Sequence, residues 1–416
     1  MAFLQIHAIC ILPLYILHEF YYNALMKYIN RAIEPKILEA AKQFPVIAVT
    51  GPRQSGKSTM LRHIFPNYQF VTFDDLGVRD RAKKDPALFI DSFKTPVILD
   101  EIQYAPEILS YIKMNIDNYR TAVKSEEING KFILTGSQVF TLMGGLTETL
   151  AGRIAVFELL PFSFEETGDK PRDPLDLYRQ LLRGFYPAPN TQDIDGGAFY
   201  GSYLFTYIER DVRQIKNIKD ISQFQDFLKL LAARAGNILN VQEISKELGI
   251  TRVTAKSWLS ILENSRIIYI LRPYFRNISK RVVKSPKLYF MDTGLLSYLL
   301  GYQTAETLFS GPASGAVFEN MIVVDKLKES FNHRTGGELY FYRDGSGLEA
   351  DLVVNGKTGP QTLVEVKAGK ALREESAKRL SKIPLDVKEK IVVSLRENVI
   401  ALSNDVKQKP WWEFIK

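Results

Sequence analysis

Short runs of apolar, largely β-branched residues punctuate the first third of the chain: Val46–Thr50, Phe70–Phe73, Val97–Asp100 and Phe132–Thr135. Each run is continuous rather than alternating, and helix-length segments of mixed polarity separate them. A strand that is apolar at every position is buried on both faces, so the pattern predicts parallel strands in a doubly wound sheet covered by helices on both sides. This first unit is expected over 26–165. Residues 166–235 then read as a helical linker or lid, in which Tyr203–Arg213 mixes apolar and charged positions. From Asn240 a helix stopped by Gly249 precedes a second helix capped by Thr251 and running through Leu262, the spacing of a winged helix, assigned to 236–310. Its second helix would turn Val253, Trp258, Leu259 and Leu262 inward and expose Arg252 and Lys256. Strands return over 311–416, where Leu339–Arg343, Leu348–Val354 and Thr362–Lys367 are joined by Gly-containing turns. No internal repeat or low-complexity segment interrupts this order.

The apolar run over residues 3–17 resembles the core of a signal peptide, but no Lys or Arg precedes it, Pro13 interrupts it and Glu19 ends it. It is also shorter than the roughly 18 to 20 apolar residues that span a bilayer, so no membrane association is expected. Residues 1–25 read as an extension, with Met26 as an alternative start. Composition agrees with a folded, multidomain chain: 416 residues, 46% hydrophobic and 24% charged. The single cysteine, Cys10, excludes an intramolecular disulfide or a zinc cluster and suits a reducing, cytoplasmic setting. A net charge of +7 and a pI of about 9.1 favour anionic partners.

Candidate chemistry is concentrated at strand ends. Gly51-Pro52-Arg53-Gln54-Ser55-Gly56-Lys57-Ser58-Thr59 reads G-x-x-x-x-G-K-S, directly after an apolar strand and directly before a helix. Glycines let backbone N–H groups curl around a β-phosphate, Lys57 can reach the β and γ oxygens, and the Ser58 hydroxyl can coordinate Mg²⁺ at the helix start. Val97–Asp100 with Glu101 is an apolar strand ending in two carboxylates, where a doubly wound sheet places its ligand crevice. Asp100 would hold Mg²⁺ through water, and Glu101 would orient or deprotonate the water that attacks the γ-phosphate. A third strand ends in Thr135-Gly136-Ser137-Gln138, so Ser137 or Gln138 either senses the γ-phosphate or caps the next helix. Arg153, Arg210 and Arg213 are candidate arginine fingers.

Five short motifs recur here together: Thr50–Gln54, Leu99–Gln103, Thr135–Ser137, Ala151–Arg153 and Leu160–Glu166. In this order the chain resembles a prokaryotic AAA-type ATPase family, in which the ATPase is followed by a domain of unknown function. The resemblance runs from Met26 to the carboxyl end. It implies ATP rather than GTP, and no guanine-reading Asn-Lys-x-Asp segment is present.

Two downstream features bear on partners. Arg252 and Lys256 on the second helix, followed by Arg272, Arg276, Lys280, Arg281, Lys284 and Lys287 around Tyr274 and Phe275, suit a DNA backbone. A winged helix that contacts a protein partner or a second copy of the chain is the alternative. In the carboxyl-terminal strands, period-two alternation puts Glu349 with Asp351 on one face and Glu365 with Lys367 on another, while Phe318-Glu319-Asn320 lies on a helix upstream. This arrangement resembles the restriction-endonuclease-like P-D-(D/E)-X-K fold, except that Glu349-Ala350-Asp351 stands in place of Pro-Asp. The resemblance implies that Asp351 and Glu365 ligate Mg²⁺, Glu319 tunes it, and Lys367 orients or helps deprotonate the attacking water. The competing reading is a salt-bridge ladder without a metal. The expected fold is therefore α/β: a P-loop NTPase sheet, a helical winged-helix middle and an α/β nuclease-like carboxyl-terminal domain. Three functions follow: an ATPase switch, an ATP-gated nuclease, or a DNA-binding regulator with structural nucleotide.

Overall fold

The computed structural model describes residues 28–122, 128–137, 149–168, 171, 173–208, 221–274, 285–356, 359–403 and 405–415. Its first sheet comprises β1 (Val46–Thr50), β2 (Gln69–Thr72), β3 (Val97–Asp100), β4 (Phe132–Gly136) and β5 (Ile154–Glu158), in the order β2-β3-β4-β1-β5. All its pairings are parallel. Every residue of β1, β3 and β4 is buried, as continuous apolar runs require when both faces are covered. Alternation divides β1 between two cores. Ile47 and Val49 pack with Ile37, Met60 and Leu61 of helices α1 (Glu34–Ala41) and α2 (Lys57–Ile64). Val46 and Ala48 face the opposite core, with Ile108, Ile112 and Ile116 of α3 (Ile108–Ala122). The order also inserts β4 between β1 and β3, so the polar end of β4 stands between the phosphate loop and the two carboxylates.

The expected helix–turn–helix segment forms α4 (Val241–Glu247) and α5 (Arg252–Asn264), with the Thr251 hydroxyl accepting from Thr254 N at 3.0 Å as the second helix's cap. Ala255, Trp258, Leu259 and Leu262 are buried, but Val253 is 79% exposed, contrary to expectation. Two residues before Ala255, it is turned about 200° from that stripe on a 3.6-residue helix.

The hairpin that follows, β6 (Ile268–Pro273) and β7 (Lys287–Phe290), is not a free wing. It belongs to a second sheet with β8 (Glu338–Arg343), β9 (Glu349–Gly356), β10 (Gly359–Lys367), β11 (Glu389–Ser394), β12 (Ile400–Ala401) and β13 (Val406–Pro410), in the order β12-β13-β11-β10-β9-β8-β6-β7. Parallel pairing of Arg272 with Tyr340 and Pro273 with Phe341 joins the two expected modules across residue 310. One contiguous core also runs from Leu160 through Phe224, Trp258, Phe290 and Phe341 to Ile415. The segments 166–235, 236–310 and 311–416 thus share one core, because each leaves an apolar face that the others cover, while 311–416 also closes a smaller core of its own around Val353, Leu363, Leu380 and Val392. Its central helix is α6 (Ser314–His333).

A short strap, Leu160–Phe164, connects the two halves. The Asp325 carboxylate on α6 accepts from Phe164 N at 2.7 Å, and Lys328 Nζ donates to Phe162 O at 2.8 Å. Burial pushes Asp325 up to about 6 and holds Lys328 below its ordinary value. Among the described residues no helix is long and apolar enough to cross a membrane.

Candidate nucleotide site

The chain leaves β1 at Thr50 and turns through Gly51, whose φ of +141° only glycine adopts readily. A Cβ there would also lie 2.1 Å from Leu159 O, on the strand end beside it. Gly51→Ala is therefore expected to distort the loop and destabilise the domain together, read as lost ATP binding and a lowered thermal midpoint. Gln54 and Gly56 also take left-handed φ values, +61° and +90°, and α2 begins at Lys57. Within the loop Pro52 and Ser55 are buried and Arg53 and Ser58 half-buried, whereas Thr59 is exposed on α2.

Lys57 is buried, and its Nζ donates to the loop's own carbonyls, Gly51 O at 3.0 Å and Pro52 O at 2.8 Å. Burial lowers its pKa to about 8, although Glu101 and Asp100 act in the opposite direction. Ser58 Oγ donates to Asp100 Oδ1 at 2.7 Å, and the Thr135 hydroxyl from β4 donates to the same oxygen. Burial raises the Asp100 pKa, opposed by these two hydroxyls.

Glu101 sits at φ +56°, uncommon for a residue with a Cβ, and its N–H donates to Thr135 Oγ1 at 3.3 Å. Its carboxylate accepts from Gln103 Nε2 and, at 3.3 Å, from Ser137 Oγ. The loop, the two carboxylates and Ser137 are thus one cluster at the carboxyl ends of β1, β3 and β4.

The residues fit a magnesium nucleotide. The Ser55 hydroxyl is buried in the loop without a hydrogen-bond partner, Lys57 satisfies itself only on loop carbonyls, and the Ser58–Asp100 pair is a hydroxyl–carboxylate set suited to a hard cation. Residues 43–168 match the family described as AAA domain. This segment is similar to AAA-type P-loop ATPase domains. Behind the AAA domain, residues 175–306 and 314–414 match two domains of unknown function, DUF8612 and DUF4143.

Similar proteins include an uncharacterized protein of Mycobacterium tuberculosis, 28% identical over 78% of this chain and 71% of its own length. An uncharacterized protein of Haemophilus influenzae is 22% identical over 69% of this chain and 76% of its own length. Among solved structures, a Walker-type ATPase of Pyrococcus abyssi is 18% identical with a TM-score of 0.40, covering 64% of this chain and 94% of that one.

Four residues of the AAA domain's surroundings escaped sequence reasoning: Thr135, Gln103, Arg31 and Glu166. Arg31 and Glu166 form a buried pair at 3.0 Å, and Arg31 also donates to Ser55 O in the loop at 2.9 Å and to Leu160 O at 2.7 Å. Glu166 in turn accepts from Ser163 N at 2.7 Å in a capping box. The recurring Leu160–Glu166 motif was the available signal.

Of the candidate fingers, Arg153 is not brought to the loop. Arg153 precedes β5 and its carbonyl accepts from Val46 N, at the start of β1. It is therefore about 15 Å from the loop by strand length, and it pairs with Asp117 at 2.8 Å. Its position excludes a finger role at its own chain's phosphate loop. Arg210 and Arg213 lie outside the described residues, as do Gln138, Arg276, Lys280, Arg281 and residues 1–25. Arg252 and Lys256 are exposed together on α5.

The expected second metal site is not assembled as such. Glu319, Asp351 and Glu365 do approach one another, and Lys367 pairs with Glu365 at 2.7 Å. However, no cluster of three or more His, Cys, Asp or Glu side chains among the described residues is arranged to hold a metal ion. Lys287, expected on the basic surface, is instead buried between these carboxylates.

Proposed function

We propose that the AAA domain binds ATP with Mg²⁺ at Gly51–Thr59 and hydrolyses it as a conformational switch. The observation that carries this reading is the Glu101 carboxylate, positioned by Ser137 and Gln103 beside the Ser58–Asp100 pair. Lys57 would exchange its bonds to Gly51 and Pro52 carbonyls for phosphate oxygens. Ser58 and Asp100 would hold Mg²⁺, which neutralises charge on the β and γ oxygens when bound. Glu101 then accepts a proton from water as its oxygen attacks the γ-phosphorus, and the bond to the β-phosphate oxygen breaks to leave ADP and phosphate. Ser137, between the loop and the acids, is placed to register whether the γ-phosphate is present.

The switch reading is supported by the loop's mechanical ties. Ser55 O is held by Arg31, Arg31 by Glu166, and the strap beside Glu166 by Asp325 and Lys328 of α6. A second tie joins Glu158, at the end of β5, to Arg266, between α5 and β6. The test is hydrogen exchange with and without a non-hydrolysable ATP analogue. Changed protection in α6 supports coupling, and changes confined to 43–168 refute it.

DNA contact is a second reading, favoured by the exposed face of α5, where Arg252 and Lys256 flank Val253. Replacing each cation with Ala is expected to weaken DNA binding and to flatten its logarithmic salt dependence by about 0.9 for each phosphate no longer neutralised. Binding by fluorescence anisotropy across salt concentrations checks this, and unchanged slopes in both variants would sink it.

A further inference from the structure

The carboxyl-terminal cluster combines acids from three elements: Glu319 of α6, Glu349 and Asp351 of β9, and Glu365 of β10. Such a set suggests a divalent-cation site, as in the nuclease-like resemblance. The centre, however, holds a side chain of this same protein. Lys287, on β7, is 4% exposed, and its Nζ lies 2.7 Å from Glu349, 3.0 Å from Asp351 and 3.5 Å from Glu319. Other lone pairs have protein donors too. Asp351 Oδ2 accepts from Val366 N at 2.9 Å, Glu319 Oε1 from Tyr289 Oη at 2.8 Å, and Glu365 from Lys367 at 2.7 Å.

We infer that the Lys287 ammonium is the resident cation of this cluster, closing it to divalent metal and leaving the carboxyl-terminal domain without metal-dependent nuclease activity. Mg²⁺ needs oxygen ligands at about 2.0–2.1 Å in near-octahedral geometry, and it would have to share or displace a cation that already bridges three carboxylates. Displacement would leave a buried ammonium unpaired, which is strongly unfavourable. Burial opposes the lysine's charge, but Asp351, Glu319 and Glu349 outweigh it and raise its pKa above the ordinary value. The contact has a structural consequence as well. β7 and β9 are separated in the sheet by β6 and β8, so Lys287 ties strands that share no backbone hydrogen bonds. It pins the segment matching the first domain of unknown function to the second.

The inference is independent of ATP turnover, and its test uses the full-length protein without nucleotide. Mn²⁺ is titrated into wild type and Asp351→Asn, with free Mn²⁺ read by electron paramagnetic resonance, and duplex and single-stranded DNA are then incubated with each. The expected result is identical Mn²⁺ uptake by the two proteins and no cleavage that Asp351→Asn removes. Uptake or cleavage present in wild type and lost in Asp351→Asn would overturn the inference. Lys287→Gln, which keeps the chain length but not the charge, should gain one Mn²⁺ per chain that Asp351→Asn abolishes when combined with it. A folded Lys287→Gln with no gain also overturns it, and the wild-type comparison decides the question if that variant does not fold.

Discussion

Glu101→Gln is expected to bind ATP as tightly as the unaltered protein while its turnover falls about 10²- to 10⁴-fold, the usual contribution of a positioned general base. Gln keeps the shape and one acceptor, so the bonds from Ser137 and Gln103 survive in part. What it loses is the ability to take a proton from the attacking water. Binding and chemistry should separate cleanly, and Lys57→Ala should behave differently. Removing the buried ammonium eliminates charge-assisted bonds to phosphate worth about 1.5–3 kcal/mol, so affinity itself should drop about 10- to 100-fold. Equilibrium ATP binding and steady-state phosphate release, measured on both variants, distinguish the roles. Equal turnover in Glu101→Gln and wild type would remove Glu101 from the chemistry.

Glu166→Ala should produce the largest loss of stability among substitutions outside the loop. Arg31 is 4% exposed and pairs with Glu166 while stacking over the Phe162 ring at 4.6 Å. Deleting the carboxylate leaves a buried guanidinium uncompensated, which costs about 3–5 kcal/mol. Two backbone donors, Ala32 N and Ser163 N, lose their acceptor at the same time. Because Arg31 also holds Ser55 O, the loop should loosen and ATP affinity should fall with stability. Denaturant unfolding gives the first quantity and nucleotide titration the second. An unchanged unfolding midpoint would contradict the role assigned to the pair.

What the sequence discloses depends on how far apart the partners lie. β1, β3 and β4 are legible because residues buried on both faces must be apolar at every position. β5 is not, since this sheet-edge strand alternates between buried and half-buried residues and Ile154–Glu158 offers only a short mixed run. The Walker residues are legible for a different reason: the loop's chemistry is local in sequence, from Gly51 to Ser58, and the acids sit on their own strand end.

Lys287 shows the limit. Surrounded in sequence by basic residues it reads as surface charge, yet the carboxylates that hold it are 32, 62 and 64 residues away, and nothing local reports that convergence. The following Leu288-Tyr289-Phe290 was the one hint that its strand is buried. The shared core across 166–416 was hidden likewise, because composition along a chain does not show which apolar faces cover each other.

If Gly51–Thr59, Asp100 and Glu101 form a magnesium-dependent ATPase site, phosphate release from ATP must follow the metal. The measurement is phosphate release by the purified wild-type protein as Mg²⁺ is varied from none to excess, with Lys57→Ala alongside. Turnover should appear with Mg²⁺, disappear with its chelation and be lost in Lys57→Ala. Absence of turnover at every Mg²⁺ concentration, or equal turnover in the variant, would contradict the assignment.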